Sequence, residues 1–172
     1  MRRAGLAWMA VALCVVSATP ARAQTATVTG VEITWYGVYQ AEQVKKVEEP
    51  GALSGTRRIS RNVIPPSVNS DRIAIADNTR FGFGFRLIGA PDGAQVKLKI
   101  MQRMPPPGAL NVVTGRRTRL GEVEANAKIG APTLFTGWLI GKAASAPAGE
   151  WTFEVWYEGR KLAGKTFTLY QP

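Results

Sequence analysis

The chain has 172 residues, 22 basic against 12 acidic for a net charge of +10, no histidine and one cysteine. That cysteine, Cys14, lies in an N-terminal segment laid out like an export signal, so the rest of the chain lacks a histidine base, Cys/His zinc ligands and any disulfide. Hydrolases built on Ser-His, Cys-His or His-zinc groupings are excluded, and the positive balance favours anionic partners such as acidic lipid headgroups, lipopolysaccharide, glycans or acidic proteins.

Residues 1–23 carry three parts. Arg2 and Arg3 supply a positive start, Gly5 to Ala18 is apolar, and Thr19-Pro20 precedes Ala21-Arg22-Ala23, with small residues on either side of one spacer. This predicts a cleavable signal peptide cut after Ala23. The apolar run is shorter than the roughly 20 residues a spanning helix needs. The residues that should follow a twin-arginine pair are absent, and Leu13 occupies the position where lipidation at Cys14 would need a small residue. The expectation is a periplasmic or secreted protein with no transmembrane segment after cleavage. Residues 24–172 are expected to form a single β-sandwich domain held by a packed core. Three of the basic residues leave with the signal, and the remainder is still basic.

Val31, Ile33 and Trp35 alternate with Glu32, Thr34 and Tyr36, which predicts a half-buried strand with Tyr36 on the face opposite the core. Gly37 is a point for a bulge or bend. Residues 41–56 are polar and contain Glu48-Glu49-Pro50-Gly51, which predicts a loop. Strands follow at Arg57–Val63 and Arg72–Ala76, separated by the Pro65-Pro66 loop. Phe81-Gly82-Phe83-Gly84-Phe85-Arg86-Leu87 is the sharpest alternation, with four large apolar side chains on one face and two glycines with Arg86 on the other. The glycine face predicts close packing by another backbone or a large side chain; a ligand groove is the alternative. Gln95–Met101 alternates again, and with the preceding strand suggests a hairpin around Gly89–Gly93.

Pro105-Pro106-Pro107-Gly108 ends that unit as a stiff loop, with a polyproline recognition segment as the alternative. Residues 109–132 are the least patterned; a strand at Thr118–Ala127 is expected. Leu134–Ile140 is a further strand. Trp151–Tyr157 and Leu162–Tyr170 form the clearest hairpin, with Trp151, Phe153, Val155 and Tyr157 inward and Thr152, Glu154 and Trp156 outward. The whole predicts an all-β, antiparallel two-sheet sandwich of about eight strands.

Several segments carry a resemblance. They are Val31–Tyr39, Thr79-Arg80-Phe81-Gly82-Phe83, Met104–Gly108, Gly149–Phe153, Gly159-Arg160-Lys161-Leu162 and Lys165-Thr166-Phe167. In these the chain resembles a family of short bacterial exported proteins with an immunoglobulin-like sandwich and no assigned activity. The resemblance covers about residues 28–170 and implies the fold but no chemistry. Relatives carry an acid soon after an aromatic residue before the last hairpin; here Trp138 is followed by Leu139-Ile140-Gly141, so no role for that acid transfers. The Cys pair bracketing a Trp of antibody domains is absent.

Carboxylates alone could do acid/base work in a glycosidase. The acids cluster at Glu48-Glu49, Glu122/Glu124 and Glu150/Glu154/Glu158, and the last three follow ordinary strand exposure. No calcium loop and no phosphate-binding glycine loop is present. No catalytic, cofactor-binding or metal-binding residues are therefore expected, and the chain is read as non-enzymatic. Two binding roles remain. In the first, the domain is a protein-interaction or structural module of the bacterial cell envelope, with Tyr36 and Trp156 as candidate aromatic anchors. In the second, it binds anionic surfaces or polymers electrostatically through Arg57, Arg58, Arg61 and the Arg116, Arg117, Arg119 run. Export makes nucleic acid a poor natural partner. Sequence leaves open the oligomeric state, and whether these charges converge or scatter.

Overall fold

The computed structural model describes residues 25–172; the expected signal segment lies outside them. The described chain is built of strands with a single 3-10 turn at Ala143–Ser145. No helix among the described residues is long and apolar enough to cross a membrane.

Two sheets pack face to face. One holds β1 (Thr27–Val38), β5 (Thr79–Ala90) and β10 (Leu134–Ile140) in the order β1-β5-β10. The other holds β4 (Arg72–Ala74), β12 (Arg160–Tyr170), β11 (Gly149–Tyr157), β6 (Gln95–Arg103) and β9 (Leu120–Lys128) in the order β4-β12-β11-β6-β9. Pairing is antiparallel except between β4 and β12. Two small ribbons stand outside these sheets: β2 (Gln40–Glu48) with β3 (Thr56–Ile64), and β7 (Ala109–Leu110) with β8 (Arg117–Thr118).

The core lies between the sheets. Phe81, Phe83, Phe85 and Leu87 project from β5 against Val96, Leu98 and Ile100 of β6, Trp151, Phe153 and Val155 of β11, and Phe167 and Leu169 of β12. Phe81 sits at its centre, its ring 5.5 Å from Trp151, 5.6 Å from Phe153 and 5.5 Å from Phe167. Such pairs contribute about 0.5–1.5 kcal/mol each beyond the apolar area they bury. The opposite face of β5 is packed as its glycines predict. A β-carbon on Gly82 would meet the Thr136–Gly137 backbone of β10, and one on Gly84 would meet the Trp35 indole.

Three expectations are corrected. β1 carries a bulge between Ile33 and Trp35. Val31 and Ile33 face the core, but the extra residue reverses the alternation. Trp35 therefore leaves the core for the outer face above Gly84, and Tyr36 turns inward and packs against the core cluster.

Residues 41–48, part of the segment expected as loop, lie in β2. Its apolar residues Ala41, Val44 and Val47 recur every third position rather than every second, so no strand alternation marks them, and the strand exists because β3 pairs with it from Gln40↔Ile64 to Glu48↔Thr56. Finally, β5 and β6 do not form a hairpin. The Gly89–Gly93 turn carries the chain from one sheet to the other, so each strand meets the other's apolar face rather than its edge. The β11–β12 hairpin forms as expected, from Gly149↔Leu169 to Tyr157↔Arg160.

Candidate functional site

β10 closes one side of the three-stranded sheet and β9 closes one side of the five-stranded sheet. The β2–β3 ribbon spans the opening between them. Near Gln40 it is tied to the sheet by Tyr39 N donating to Arg80 O at 3.0 Å, and at its far turn by Glu122 N donating to Gly51 O at 2.8 Å. Asn111, only 3% exposed, fastens that turn. Its Nδ2 donates to Pro50 O at 2.8 Å and Ala52 O at 2.9 Å. Its Oδ1 accepts from Val113 N at 3.1 Å and Thr114 N at 3.0 Å.

Under and beside the ribbon run two clefts, one of about 300 Å³ and one of about 620 Å³. They share Ser54, Thr56, Arg58, Trp138 and Leu139 and so form one groove along β10. Its floor in the first cleft is Ile100, Val123 and Ala125 of the five-stranded sheet.

The groove has one sign of charge. Arg57, Arg58 and Arg80 line the first cleft, Lys46, Arg58 and Arg117 the second, and no Asp or Glu lines either. Outside the groove seven of the fourteen cations among the described residues belong to ion pairs; of the groove's five only Arg57 does, 2.6 Å from Glu49. Arg58 and Arg80 are half-buried, so solvent screens them less than surface charges. Arg117 donates through Nη1 to Gly108 O at 3.0 Å. Tyr39 lines the groove as well; burial pushes its hydroxyl up to about 12, against a smaller lowering by Arg80. It stays protonated and available as a donor. This set can bind carboxylates, sulfates or phosphates, and arginine forks suit carboxylates in particular. It offers no carboxylate for proton transfer, and no group of three or more His, Cys, Asp or Glu residues capable of holding a metal occurs among the described residues.

Of the six arginines singled out from sequence, Arg57, Arg58 and Arg117 line the groove. The two basic runs thus meet, through Arg58 and Arg117 in the second cleft. The other three lie outside it. Arg61 is held by Glu42 through a fork with bonds of 3.1 and 2.8 Å, Arg116 is exposed, and Arg119 Nε donates to Met104 O at 3.3 Å.

Tyr36 and Trp156 do not form an aromatic pair on one surface. Both are half-buried. Tyr36 lies between the sheets with Lys165 Nζ 3.8 Å from its ring centroid. Trp156 lies on the outer face of the five-stranded sheet and donates through Nε1 to Glu154 Oε2 at 3.0 Å. Glu154 also accepts from Lys161 Nζ at 2.6 Å. Burial works to raise the Glu154 carboxyl; the Lys161 and Trp156 hydrogen bonds, with the Lys161 and Arg103 charges, outweigh it and hold the group below its ordinary range.

Lys46, Arg80 and the free edge of β10 escape a sequence reading that seeks runs of charge. Arg80 has a signal that could have found it: it shares parity with Gly82 and Gly84, hence the outer face of β5.

The fold defines an immunoglobulin-like all-β sandwich. It resembles the crystal structure of an immunoglobulin-like protein from Pseudomonas aeruginosa, with a TM-score of 0.56 and 20% identity over 87% of this chain and 100% of that one. The chain belongs to the family described as domain of unknown function (DUF3859), which matches residues 27–169. A β-glucosidase from Erythrobacter marinus aligns at 14% identity over 81% of this chain and 16% of that chain, with a TM-score of 0.36; a likeness so slight carries no argument about fold or activity. Comparison with curated proteins finds no match.

Proposed function

We propose that this domain is a non-enzymatic interaction module of the bacterial cell envelope, exported by the N-terminal signal and binding its partner in the groove between β10 and the β2–β3 ribbon. The observation that carries it is the groove's charge. Four of its five cations have no acidic partner among the described residues and no acid lines either cleft, whereas half of the cations outside it sit in ion pairs. Uncompensated charge gathered in a cleft costs self-repulsion, which an anionic partner relieves.

The test is photo-crosslinking in cells. A photoreactive residue replaces Leu139 in the groove or, as control, Lys97 on the outer face of β6. The expected result is one defined envelope protein captured from position 139 and not from 97, with the captured chain starting after Ala23. A position-139 adduct no different from the control would overturn the groove as the binding element. Recovery of the chain with residue 1 intact would overturn export.

A second reading, electrostatic attachment to an anionic surface or polymer, is favoured by the meeting of Arg58 and Arg117 in one cleft. It predicts binding that falls steeply with salt, with no dependence on the partner's backbone.

A further inference from the structure

Two free strand edges face each other across the groove. β10 pairs only with β5, and β3 pairs only with β2. A strand that shows its face to a cleft lines it with every second residue, as β6 does with Ile100 and Gln102 and β9 with Val123 and Ala125. A strand that shows its edge lines it with consecutive residues. β10 contributes every residue from Phe135 to Leu139, and β3 every residue from Thr56 to Ser60.

The backbone of β10 agrees. The Gly137 carbonyl turns away from β5 and accepts from Gln102 Nε2 at a long 3.5 Å. Alternate residues of an antiparallel ladder turn both backbone groups to the same side, so Phe135, Gly137 and Leu139 present theirs to the groove. These are the groups that an added strand pairs with.

Resting on the interaction-module reading, we infer that the groove takes an extended acidic polypeptide segment, which adds as a strand to the free edge of β10. Charge complementarity selects the acid, since Lys46, Arg58 and Arg80 have no acidic partner among the described residues. The open edge selects a polypeptide, because a glycan or lipid headgroup would neutralise the cations and leave the backbone groups of β10 unpaired. Side chains of the added strand alternate. One set rests on Ile100 and Val123, and the other reaches the cations, so the fitting sequence alternates apolar and acidic residues.

The probe is a synthetic peptide alternating valine and glutamate, added to the exported chain. Three further ligands are compared with it. One is the same peptide N-methylated on every second backbone amide; another is an alternating valine and lysine peptide; the third is polygalacturonate. The expected result is binding of the Val–Glu peptide with slowed amide hydrogen exchange at Phe135, Gly137 and Leu139. N-methylation or replacement of Glu by Lys should weaken it at least about tenfold, and R58E should do the same. Lys46 is exposed on the ribbon; K46E should weaken binding in the same direction without disturbing the fold.

Equal binding of the N-methylated peptide and polygalacturonate would overturn strand addition in favour of charge alone. Failure of the Val–Glu peptide to bind, while a photoreactive residue at position 139 still captures an envelope protein, would overturn the acidic strand and leave the interaction module standing. Failure of both would overturn the two together.

Discussion

The Trp35 indole occupies the space above Gly84 where a β-carbon would project. Glycine normally weakens a strand interior, and alanine in its place gains about 0.5–1 kcal/mol. Here the sign reverses. The obstacle is a rigid ring, 6% exposed and packed 5.4 Å from the Tyr39 ring. G84A should destabilise the protein by about 1–3 kcal/mol, the usual cost of overpacking. Gly30 is the internal control, since nothing lies within 4 Å of the β-carbon it would gain. G30A should leave the thermal midpoint unchanged or raise it. Thermal unfolding of the two variants beside the parent checks both signs.

That relationship also marks where sequence patterning stops. The alternation of Phe81, Phe83, Phe85 and Leu87 is legible because one face is wholly buried, and it located both the core and the packed glycines. The bulge before Trp35 was not legible, because one unpaired residue exchanges the two faces without changing composition. The β2–β3 ribbon was half legible. Ile59 and Val63 mark β3, whereas the apolar residues of β2, Ala41, Val44 and Val47, do not alternate, and that strand is specified by its partner. The groove follows from the ribbon's position over β10, so only its contributing arginines, not their convergence, could be read from the chain.

Asn111 holds that ribbon in place. Both its side-chain hydrogen-bond donations go to carbonyls of the ribbon's turn, Pro50 O at 2.8 Å and Ala52 O at 2.9 Å. Alanine at this position removes the donor to the Pro50 carbonyl, leaves the buried Ala52 carbonyl with Gly55 N alone, and takes the acceptor from two backbone donors. N111A should cost about 1–3 kcal/mol. Hydrogen exchange should quicken at residues 49–55 and 111–114 while the β11–β12 hairpin stays protected. Uniform loss of protection would instead mean that the ribbon and the sandwich open as one unit.

Lys165 spends its charge inside the fold. Its Nζ lies 3.8 Å from the Tyr36 ring centroid and 3.4 Å from Asp71 Oδ2. Lysine over an aromatic face contributes about 0.5–2 kcal/mol, more as it is desolvated. K165M should therefore lower stability by about 1 kcal/mol, and in a Y36L background the same change should cost less. A double-mutant cycle by urea unfolding measures the difference. Additive losses would mean that the ring and the ammonium do not interact.

Glu154 gives the fold an acid-sensitive point. Its carboxyl is held below its ordinary value of 4.5 despite burial, by Lys161 and Trp156. A carboxylate depressed in the folded state adds stability that is present above its unfolded pKa and lost as pH falls through the folded one. Stability should therefore be flat approaching pH 4.5 from above, as far as this group is concerned, and decline below it. E154Q should be less stable near neutrality and show a shallower decline in acid. Urea unfolding across that range checks both. A parallel offset at every pH would assign the loss to packing rather than to ionisation.

The six arginines separate into those that line the groove and those that do not, and binding of a polyanion should follow that division. Arg58 and Arg117 line the same cleft, whereas Arg61 is taken up by Glu42 and Arg116 is exposed outside it. With poly-glutamate as the probe, R58E and R117E should each weaken binding about tenfold and flatten its salt dependence. R61E and R116E should change it by less than about twofold, because Arg61 is already matched by Glu42 and Arg116 stands exposed outside the cleft, where salt screens it. Equal losses from all four would mean that the polyanion senses net charge rather than the groove.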